Sequence, residues 1–439
     1  MINMKFEKGR ELARKLHNLI PGGGHTYSKG DDQFPEMSPG LMVRGKGAYT
    51  WDADGNKFLD YGMGLRSVAL GYAYDEVNQA VIEQMQLGTN LTKPATIELE
   101  LAEKLVDLIP CMEMVKFAKN GSDTTSAAIR LARAFTEKKY IAICKDHPFY
   151  SFNDWFIGTT PCANGIPKEV ADLTLTFHYN DIESVEALFE NHPNEIAAFI
   201  LEPMKTEESK DDFLKKLREV TQKHGTLLIF DEMISGFRFH MQGAGAMTGV
   251  TPDLTTFGKA CANGYSVAFL GGRRDVMELG GIYHDRPRVF LLSGTHGSEA
   301  TGLAAAIKNI EIFERENVID HHWNYGKRFK DGINGIAKEL GIDKNFAITG
   351  FDCSPNISCK NAQEEPDLNY NSLFSQEMIK GGVLMPWIAF SYSHQDDELE
   401  LTLKAARSAL EVYKQALDGN VSDYLVGEAV KPVWRKFNK

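Results

Sequence analysis

The chain contains 439 residues, of which 43% are hydrophobic and 25% are charged, as in an ordinary globular protein. This length is sufficient for a large core and for more than one domain. The net charge of −12 argues against a nucleic-acid surface or an anionic membrane as partner, although it leaves room for a local basic pocket that binds a phosphate.

The cysteines and the apolar segments both indicate a cytoplasmic protein. The six cysteines show no metal-ligand spacing and read as reduced thiols, so we expect no metal site. Cys353 and Cys359 could form a pair, but nothing in the sequence requires it. Residues 1–18 are charged throughout and lack the apolar segment of a signal peptide, and no apolar run approaches the length of a membrane span.

Residues 1–74 are predicted to form an N-terminal segment of helix, loop and hairpin. The helix covers Phe6–Leu19, because its leucines recur on one face, and a Pro-Gly-Gly-Gly run ends it. Two extended stretches, Ala48–Trp51 and Lys57–Tyr61, flank a turn rich in Asp, Gly and Asn and predict the hairpin. The glycine-rich stretch Gly62–Tyr72 reads as a loop.

Helical and strand patterns alternate from residue 75 to about residue 325, which indicates a mainly parallel sheet covered on both faces. The predicted strands are Met114–Ala118, Tyr140–Cys144, Ile196–Leu201, Leu227–Phe230 and Val267–Leu270. The predicted helices include Asp75–Gln86, Thr96–Leu108 and a long region from Gly302 to Glu339. We place a domain boundary near residue 325, so that 326–439 forms a C-terminal part with a periodic helix over Asp396–Leu417.

Two side chains in this central region predict the chemistry. Asp231 directly follows an apolar strand, and ligands of open α/β sheets bind beyond the carboxyl ends of the strands. Lys259 follows a polar run and Gly258, in a setting where a desolvated lysine loses its proton easily. A lysine that forms an imine and an aspartate that keeps a pyridine nitrogen protonated suggest pyridoxal phosphate. The alternative is a helix cap and a solvated surface lysine.

A turn after the first central strand predicts a site for the phosphate. Asn120, Gly121 and Ser122 stand at the start of a helix, whose N-terminus offers unpaired N–H groups and the positive end of a dipole. The glycine lets the backbone approach an anion, and Ser122 adds a hydroxyl donor. From this segment alone, an ordinary N-cap by Ser122 or Asp123 is an equally good explanation.

Several stretches together resemble one family. DEMISGFR, which begins at Asp231, and PDLTTFGKA, which contains Lys259, are similar to the signature of class III, fold-type I aminotransferases, and especially to glutamate-1-semialdehyde aminomutases. IPGGGHTYS and YTWDADGNKFLDY also resemble the family, and the likeness covers residues 6–325 clearly and the tail more loosely. It implies an α/β fold with a large domain, built on a mainly parallel seven-stranded sheet covered by helices. A smaller α+β domain would come from the N- and C-terminal segments.

The resemblance assigns the cofactor contacts residue by residue. It implies that Lys259 forms the internal aldimine of pyridoxal phosphate, that Asp231 binds the ring nitrogen, and that Gly121 and Ser122 bind the phosphate. Thr295, in the stretch SGTHGSEATG, would reach the phosphate of a neighbouring subunit, which implies a homodimer with shared active sites. The alternative for this last stretch is a glycine-rich turn that opens a helix.

The resemblance also assigns residues around the cofactor ring. Phe149 would stack on the ring, while Tyr150 replaces the family's histidine at the next position. Met233 would cover the other face, and Glu202, in a Glu-Pro pair, would lie near the polar edge of the cofactor. The alternatives are core packing for Phe149 and a loop position for Glu202.

The stretches implied to contact substrate depart from the aminomutases. Lys29 stands where the aminomutase has an arginine for a carboxylate, and the two residues are not interchangeable in that role. In the Gly62–Tyr72 loop Leu65 replaces a tryptophan and Arg66 appears, and the tail LMPWIAFSYSH lacks the aminomutase glutamate. Both Lys29 and Arg66 are candidate substrate residues, and ordinary surface charges are the alternative.

The favoured hypothesis is a homodimeric, cytoplasmic aminotransferase that moves an amino group between a small-molecule donor and a carbonyl acceptor. An isomerase of the aminomutase type, in which one substrate serves as donor and acceptor, is the first alternative. A non-catalytic or NAD-binding α/β protein is the second, although no Gly-x-Gly-x-x-Gly run follows a strand at the start of a βαβ unit.

Overall fold

The computed structural model describes residues 4–438. The chain divides into two compact units, one made of Met1–Tyr74 with Asp320–Arg435 and the other of Asp75–Ile319 with Lys436–Lys439. Across the described residues, no helix is long and apolar enough to cross a membrane. The domain limits of 75 and 325 inferred from sequence stay predictions.

The strands of the described part fall in both units. In chain order they are β1 Met42–Lys46, β2 Tyr49–Asp52, β3 Lys57–Asp60, β4 Met114–Ala118, β5 Tyr140–Cys144, β6 Thr174–Phe177, β7 Ile196–Leu201, β8 Leu227–Asp231, β9 Leu254–Phe257, β10 Ala268–Gly272, β11 Phe346–Phe351, β12 Ser354–Cys359 and β13 Val383–Leu384.

The helices of the same part range from single turns to 23 residues. In chain order they are α1 Glu7–Leu19, α2 Met63–Arg66, α3 Asp75–Leu87, α4 Thr96–Leu108, α5 Gly121–Thr136, α6 Asp154–Ile157, α7 Lys168–Ala171, α8 Ile182–Asn191, α9 Phe213–Lys223, α10 Gly245–Thr248, α11 Arg274–Met277, α12 Ala300–Glu316, α13 Val318–Leu340, α14 Leu368–Lys380 and α15 Asp396–Asp418.

A seven-stranded sheet forms the centre of the unit from Asp75 to Ile319. Its strand order is β4-β10-β9-β8-β7-β5-β6, and β10 runs antiparallel to both neighbours while the other pairs are parallel. Every residue of β7 and β8 is buried, which is why these strands read as continuous apolar runs. The mainly parallel sheet and its covering helices confirm the predicted fold class.

Two strands of this sheet escaped the sequence analysis. β6 and β9 each contain threonines at alternate or adjacent positions, so they look polar in sequence. Thr255 and Thr256 of β9 are nevertheless fully buried, because β9 lies between β8 and β10. The long helical region predicted after Gly302 consists of two helices that meet at Asn317, whose φ of +51° is left-handed.

The other unit is an α+β structure with its own core. β1, β2, β3 and β13 form a four-stranded sheet in which β13 runs parallel to β3, and β11 pairs with β12 in a separate hairpin. β2 pairs antiparallel with β3, so the predicted hairpin is confirmed. None of the six cysteines forms a disulfide in the part of the chain that the structure describes, so no bridge joins Cys353 and Cys359.

One buried carboxylate ties together the amino-terminal side of the seven-stranded sheet. Asp253, which directly precedes β9, is 2% exposed. Its Oδ2 accepts hydrogen bonds from Arg218 Nη1 (2.5 Å) and Leu228 N (2.8 Å), and its Oδ1 accepts one from Arg273 Nη1 (2.6 Å). Burial alone would raise the pKa of Asp253, but these hydrogen bonds outweigh it and lower the pKa.

We expect Asp253→Asn to reduce the free energy of unfolding by about 3 kcal/mol, because it leaves two arginines facing a neutral group in a buried site. Since the folded pKa is lowered, the stabilisation is present above the unfolded pKa and is lost as the pH falls. Thermal unfolding from pH 7 downward measures both effects. Asp275→Asn is the matched control, because Asp275 pairs with the same Arg273 at the surface. Equal losses for the two variants would contradict the expectation.

Candidate active site

The carboxyl ends of three parallel strands bring the predicted catalytic residues together. Leu201 of β7 pairs with Phe230 of β8, so Glu202 and Asp231, the next residues, stand side by side at the sheet edge. Asp231 in turn pairs with Thr256 of β9, and Lys259 follows that strand after one glycine. Residues far apart in sequence thus converge at this edge, as expected for a parallel sheet.

Asp231 is buried and held in a fixed orientation. Its side chain is 3% exposed, and Oδ1 accepts hydrogen bonds from Thr256 Oγ1 (3.0 Å) and Met233 N (3.1 Å). Burial and then the neighbouring charge of Glu202 raise the pKa of Asp231 to about 6. A carboxylate in this environment is stabilised by any cation that reaches it, such as a protonated ring nitrogen.

Lys259 begins a short 3-10 turn, Lys259–Ala262, with a left-handed backbone. Its φ is +45°, a conformation that costs a non-glycine residue roughly 1–2 kcal/mol. The lysine is half-buried, and its charge lowers the pKa of both Asp231 and Glu202. The strained turn therefore presents a cation to the two carboxylates.

Met233 packs between two glycines, Gly121 at the start of α5 and Gly258 just before the turn Lys259–Ala262. A Cβ at Gly121 or at Gly258 would lie 2.7 Å from Met233 Sδ, a distance that real structures do not tolerate. The two glycines thus allow the Met233 side chain to lie against the start of α5 and against the turn that carries Lys259. The predicted contact of Met233 with the cofactor ring stays a prediction.

The start of α5 is arranged as an anion site. Asn120 is the N-cap, because its Oδ1 accepts from Asp123 N (3.0 Å); the cap by Ser122 or Asp123 considered from sequence is wrong. The N–H groups of Gly121 and Ser122 lie in the first turn, where no intrahelical acceptor exists. Ser122 Oγ accepts from Phe152 N (3.0 Å), so its own proton is available to an anion.

The two aromatic candidates occupy different environments. Phe149 is 46% exposed and meets Phe156 edge-on at 5.7 Å, so it is not a core residue. Tyr150 is buried, and its hydroxyl lies 3.1 Å from His147 Nδ1. Phe149 is thus a partly exposed residue, whereas Tyr150 is buried.

Glu202 belongs to a polar network that sequence reasoning missed. Its Oε1 contacts Lys205 Nζ, while its Oε2 is buried without a hydrogen-bond partner among the described residues. Its backbone N–H donates to His147 Nδ1 at 3.1 Å. Neither Lys205 nor His147 belongs to a recognisable motif, and only the i,i+3 spacing of an acid and a base after a strand hinted at the ion pair. Thr256 was likewise passed over as part of a polar run.

Thr295 and Lys29 lie on exposed surface. Thr295 is exposed, and its carbonyl accepts from Asn90 Nδ2 at 3.2 Å. Lys29 is exposed at the end of the turn Tyr27–Lys29, in the unit that begins the chain. Their predicted roles stay predictions.

Arg66 belongs to a left-handed turn rather than to an open loop. The four residues of α2, Met63–Arg66, have φ values of +41°, +55°, +64° and +66°. Asp60 holds the turn, because its Oδ1 accepts from Gly62 N (2.6 Å) and its Oδ2 from the Tyr72 hydroxyl (2.8 Å). That hydroxyl accepts from Gly64 N (2.9 Å). Three non-glycine residues in this conformation store several kcal/mol, roughly 1–2 each, which is typical of functional segments.

Comparison with known proteins identifies the family. The model of the family aminotransferase class-III matches residues 33–344. A 3-aminobutyryl-CoA aminotransferase of Cloacimonas acidaminovorans is 33% identical over 424 residues, 94% of this chain and 99% of that protein. A glutamate-1-semialdehyde 2,1-aminomutase of Sulfurihydrogenibium azorense is 31% identical over 436 residues, 93% and 100%. The structure of the FumI protein of Sphingopyxis sp. MTA144, in its pyridoxal-phosphate internal aldimine form, superimposes with a TM-score of 0.85 at 27% identity, covering 94% and 98%.

The chain belongs to the class-III aminotransferases. It is therefore a pyridoxal-phosphate-dependent enzyme of fold type I, which confirms the predicted fold, cofactor and reaction class. The residues at the sheet edge fit that cofactor. The pKa of Asp231 is raised, so a nearby cation would stabilise its carboxylate. The first turn of α5 offers N–H and hydroxyl donors to a phosphate. A side chain at Gly121 or Gly258 would collide with Met233.

We expect Asp231→Asn to stabilise the apoprotein at pH 7 although it damages the active site. The folded pKa of about 6 lies above the ordinary 3.8, so folding binds this proton more tightly, and the folded state loses roughly 3 kcal/mol as the pH rises from about 4 to above 6. Asparagine keeps the Oδ1 acceptor and removes the charge. Thermal unfolding of cofactor-free protein between pH 4 and pH 8 measures the difference.

The gain in melting temperature should shrink as the pH approaches 4, where Asp231 is itself protonated. Added pyridoxal phosphate is the control, because it should stabilise the wild type more than the asparagine variant. A variant that is less stable than the wild type at pH 7 without cofactor would contradict the expectation.

Proposed function

We propose that the protein is a cytoplasmic homodimer that transfers an amino group from a small amino donor to a carbonyl acceptor carrying an anionic group. The observation that supports this proposal is the left-handed turn Met63–Arg66, which is strained and held by hydrogen bonds. This turn contains an arginine at a position where the aminomutase sequences have none. The 33% identical relative is named for a coenzyme A thioester, which is an anionic substrate.

The residues at the sheet edge are proposed to divide the work on the cofactor. When bound, pyridoxal phosphate supplies a ring that accepts electrons from the substrate's amino-bearing carbon. Asp231 keeps a proton on the ring nitrogen. Lys259 holds the cofactor, and after release its Nζ moves a proton as base and then as acid. Gly121 and Ser122 bind the phosphate, Phe149 and Met233 flank the ring, and Glu202 and Tyr150 lie at its polar edge.

We expect Lys259→Ala to abolish multiple-turnover transamination while the fold persists, because no other group would hold the cofactor covalently and move the proton. Lys259→Arg is the matched control, since it keeps a positive charge that acts on Asp231 and Glu202 but cannot attach the cofactor. Both variants should remain folded by circular dichroism, and neither should retain cofactor after borohydride reduction and denaturation. Substantial turnover in either variant would remove Lys259 from its proposed role.

Homodimerisation is supported by the exposed face of the unit that carries the site. Ile82, Met85, Leu87 and Leu91, on and after α3, are about half or more exposed, although they are large and apolar. Such a patch on a single chain marks a contact with another protein. Thr295 is exposed as well, as a residue that serves a second subunit must be.

We expect Thr295→Ala to weaken pyridoxal-phosphate binding by roughly tenfold, because one hydrogen bond to a charged phosphate contributes about 1.5 kcal/mol or more. Thr295→Ser keeps the hydroxyl and should bind almost as the wild type does. Fluorescence titration of the apoprotein measures both affinities. A monomer produced by charge substitutions at Met85 and Leu91 that binds cofactor as tightly as the dimer would rule out the shared site.

The rival reaction is isomerisation of glutamate-1-semialdehyde, which the 31% identical aminomutase favours. An aminomutase must hold its diamine intermediate through both halves of the reaction. This chain lacks the aminomutase's tail glutamate and has Lys29 in place of its substrate arginine. Arg66 is proposed to bind the anionic group of a different acceptor through charge-assisted hydrogen bonds, with a smaller contribution from Lys29.

We expect no efficient formation of 5-aminolevulinate when glutamate-1-semialdehyde is the only substrate. For the anionic acceptor found by screening, Arg66→Gly should lower kcat/KM by about tenfold to a hundredfold, in line with 1.5–3 kcal/mol for a charged hydrogen bond. Glycine adopts positive φ freely, so this variant should be no less stable than the wild type. Efficient turnover of the semialdehyde would favour the aminomutase reaction over the proposed one. An unchanged kcat/KM in Arg66→Gly would show that Arg66 is an ordinary surface charge.

A further inference from the structure

Lys205 is a largely buried lysine beside Glu202, and the proposed reaction gives it no role. Its side chain is 13% exposed, that of Glu202 is 4% exposed, and Lys205 Nζ contacts Glu202 Oε1. We propose that Lys205 is a positioning residue that keeps Glu202 ionised beside Lys259, and that Glu202 thereby raises the proton affinity of the Lys259 nitrogen in the cofactor-loaded enzyme. This inference rests on the proposed role of Lys259.

The sheet geometry creates the need for such a cation. Glu202 and Asp231 follow paired residues of β7 and β8, so two carboxylates stand next to each other in a buried place. Two like charges at this distance oppose each other, and one of them takes up a proton unless a cation compensates. Lys259 cannot supply a permanent charge, since its nitrogen is the reacting atom. Lys205 can, because it is tied to Glu202 and takes no part in the chemistry.

The other groups that face Glu202 do not replace Lys205. His147 Nδ1 accepts the backbone N–H of Glu202, so the neutral ring carries its proton on Nε2, and burial lowers the pKa of His147 to about 4. Burial raises the pKa of Tyr150 far above its ordinary value and that of Cys144 to about 12, so both stay protonated. None of His147, Tyr150 and Cys144 therefore supplies a charge beside Glu202 at neutral pH.

Lys205 is the strongest of the groups that favour the charged form of Glu202. Burial alone raises the pKa of Glu202, but the nearby cations, Lys205 foremost, outweigh burial and lower it. If Lys205 loses its charge, the buried carboxyl next to Asp231 becomes a neutral acid. The negative charge that favours protonation of the Lys259 nitrogen then disappears.

The direction of the change in the proton affinity of the Lys259 nitrogen distinguishes an action of Lys205 through Glu202 from a direct action of Lys205 on Lys259. A lysine that acted on Lys259 by simple repulsion would lower the proton affinity of the Lys259 nitrogen, and its removal would raise that affinity. A lysine that acts through Glu202 has the opposite effect, because its removal also removes the carboxylate. A purely structural ion pair would change stability without moving the titration.

The test uses Lys205→Met, Lys205→Arg, Glu202→Gln and the Lys205→Met, Glu202→Gln double variant. In each cofactor-loaded protein, the visible absorbance of the bound cofactor is titrated against pH. We expect the midpoint to fall by about one pH unit or more in Lys205→Met and in Glu202→Gln, as the loss of a close opposite charge requires. Lys205→Arg should restore the wild-type midpoint, and the double variant should match Glu202→Gln. An unchanged or raised midpoint in Lys205→Met would overturn the proposal.

A second measurement reads Glu202 without the cofactor. Infrared spectra of the apoprotein should show the carbonyl band of a protonated carboxyl in Lys205→Met that is absent in the wild type and in the double variant. If Lys205→Met does not fold, Glu202→Gln and the double variant, which leaves no unpaired charge, carry the midpoint test. Absence of the band in folded Lys205→Met would overturn the proposal. If Lys259 did not hold the cofactor, the wild type would show no visible transition, while the infrared result would stand.

Discussion

The burial of charged groups at the carboxyl ends of β7, β8 and β9 is the constraint around which this unit is organised. A single buried carboxylate is unfavourable, and here Glu202 and Asp231 stand side by side. The surrounding groups offset this cost: Thr256 Oγ1 and Met233 N donate hydrogen bonds to Asp231, and Lys205 pairs with Glu202. Even with these donors and the charge of Lys259, the pKa of Asp231 stays raised, so under the proposed function this is the carboxylate that a pyridinium would neutralise.

Each of the two units contains a strained or electrostatically unfavourable segment. The raised pKa of Asp231 destabilises the cofactor-free fold at neutral pH, and the left-handed backbone of Lys259 adds to that cost. In the other unit the turn Met63–Arg66 is strained, and the buried Asp60 with Tyr72 holds it in place. Strain that persists in this way needs a surrounding structure that over-determines it. The firm hydrogen bonds of Asp60 are that structure for Arg66.

Sequence reasoning located the elements whose physics is local. The buried strands β7 and β8 were predicted because they are continuous apolar runs, and α4 because its apolar residues recur at helical spacing. β9 was not predicted, since two of its four residues are threonines, and only its neighbours in the sheet bury them. The asparagine cap of α5 was passed over because Ser122 and Asp123 are equally good caps in sequence, and the choice depends on which side chain reaches which N–H.

The residues predicted to hold the cofactor could be proposed from sequence, whereas Lys205 and His147 could not, and the reason is physical. A cofactor of fixed shape requires a carboxylate, a lysine and a helix N-terminus at fixed places in the fold, so these residues occur within recognisable sequence motifs. A residue that changes the charge of another needs only to lie close to it, and many sequence positions in a fold can bring a side chain that close. Lys205 does so from a loop three residues beyond Glu202, in a stretch whose sequence suggests only a surface turn. The electrostatic partners of a catalytic group are therefore the part of an active site that requires coordinates.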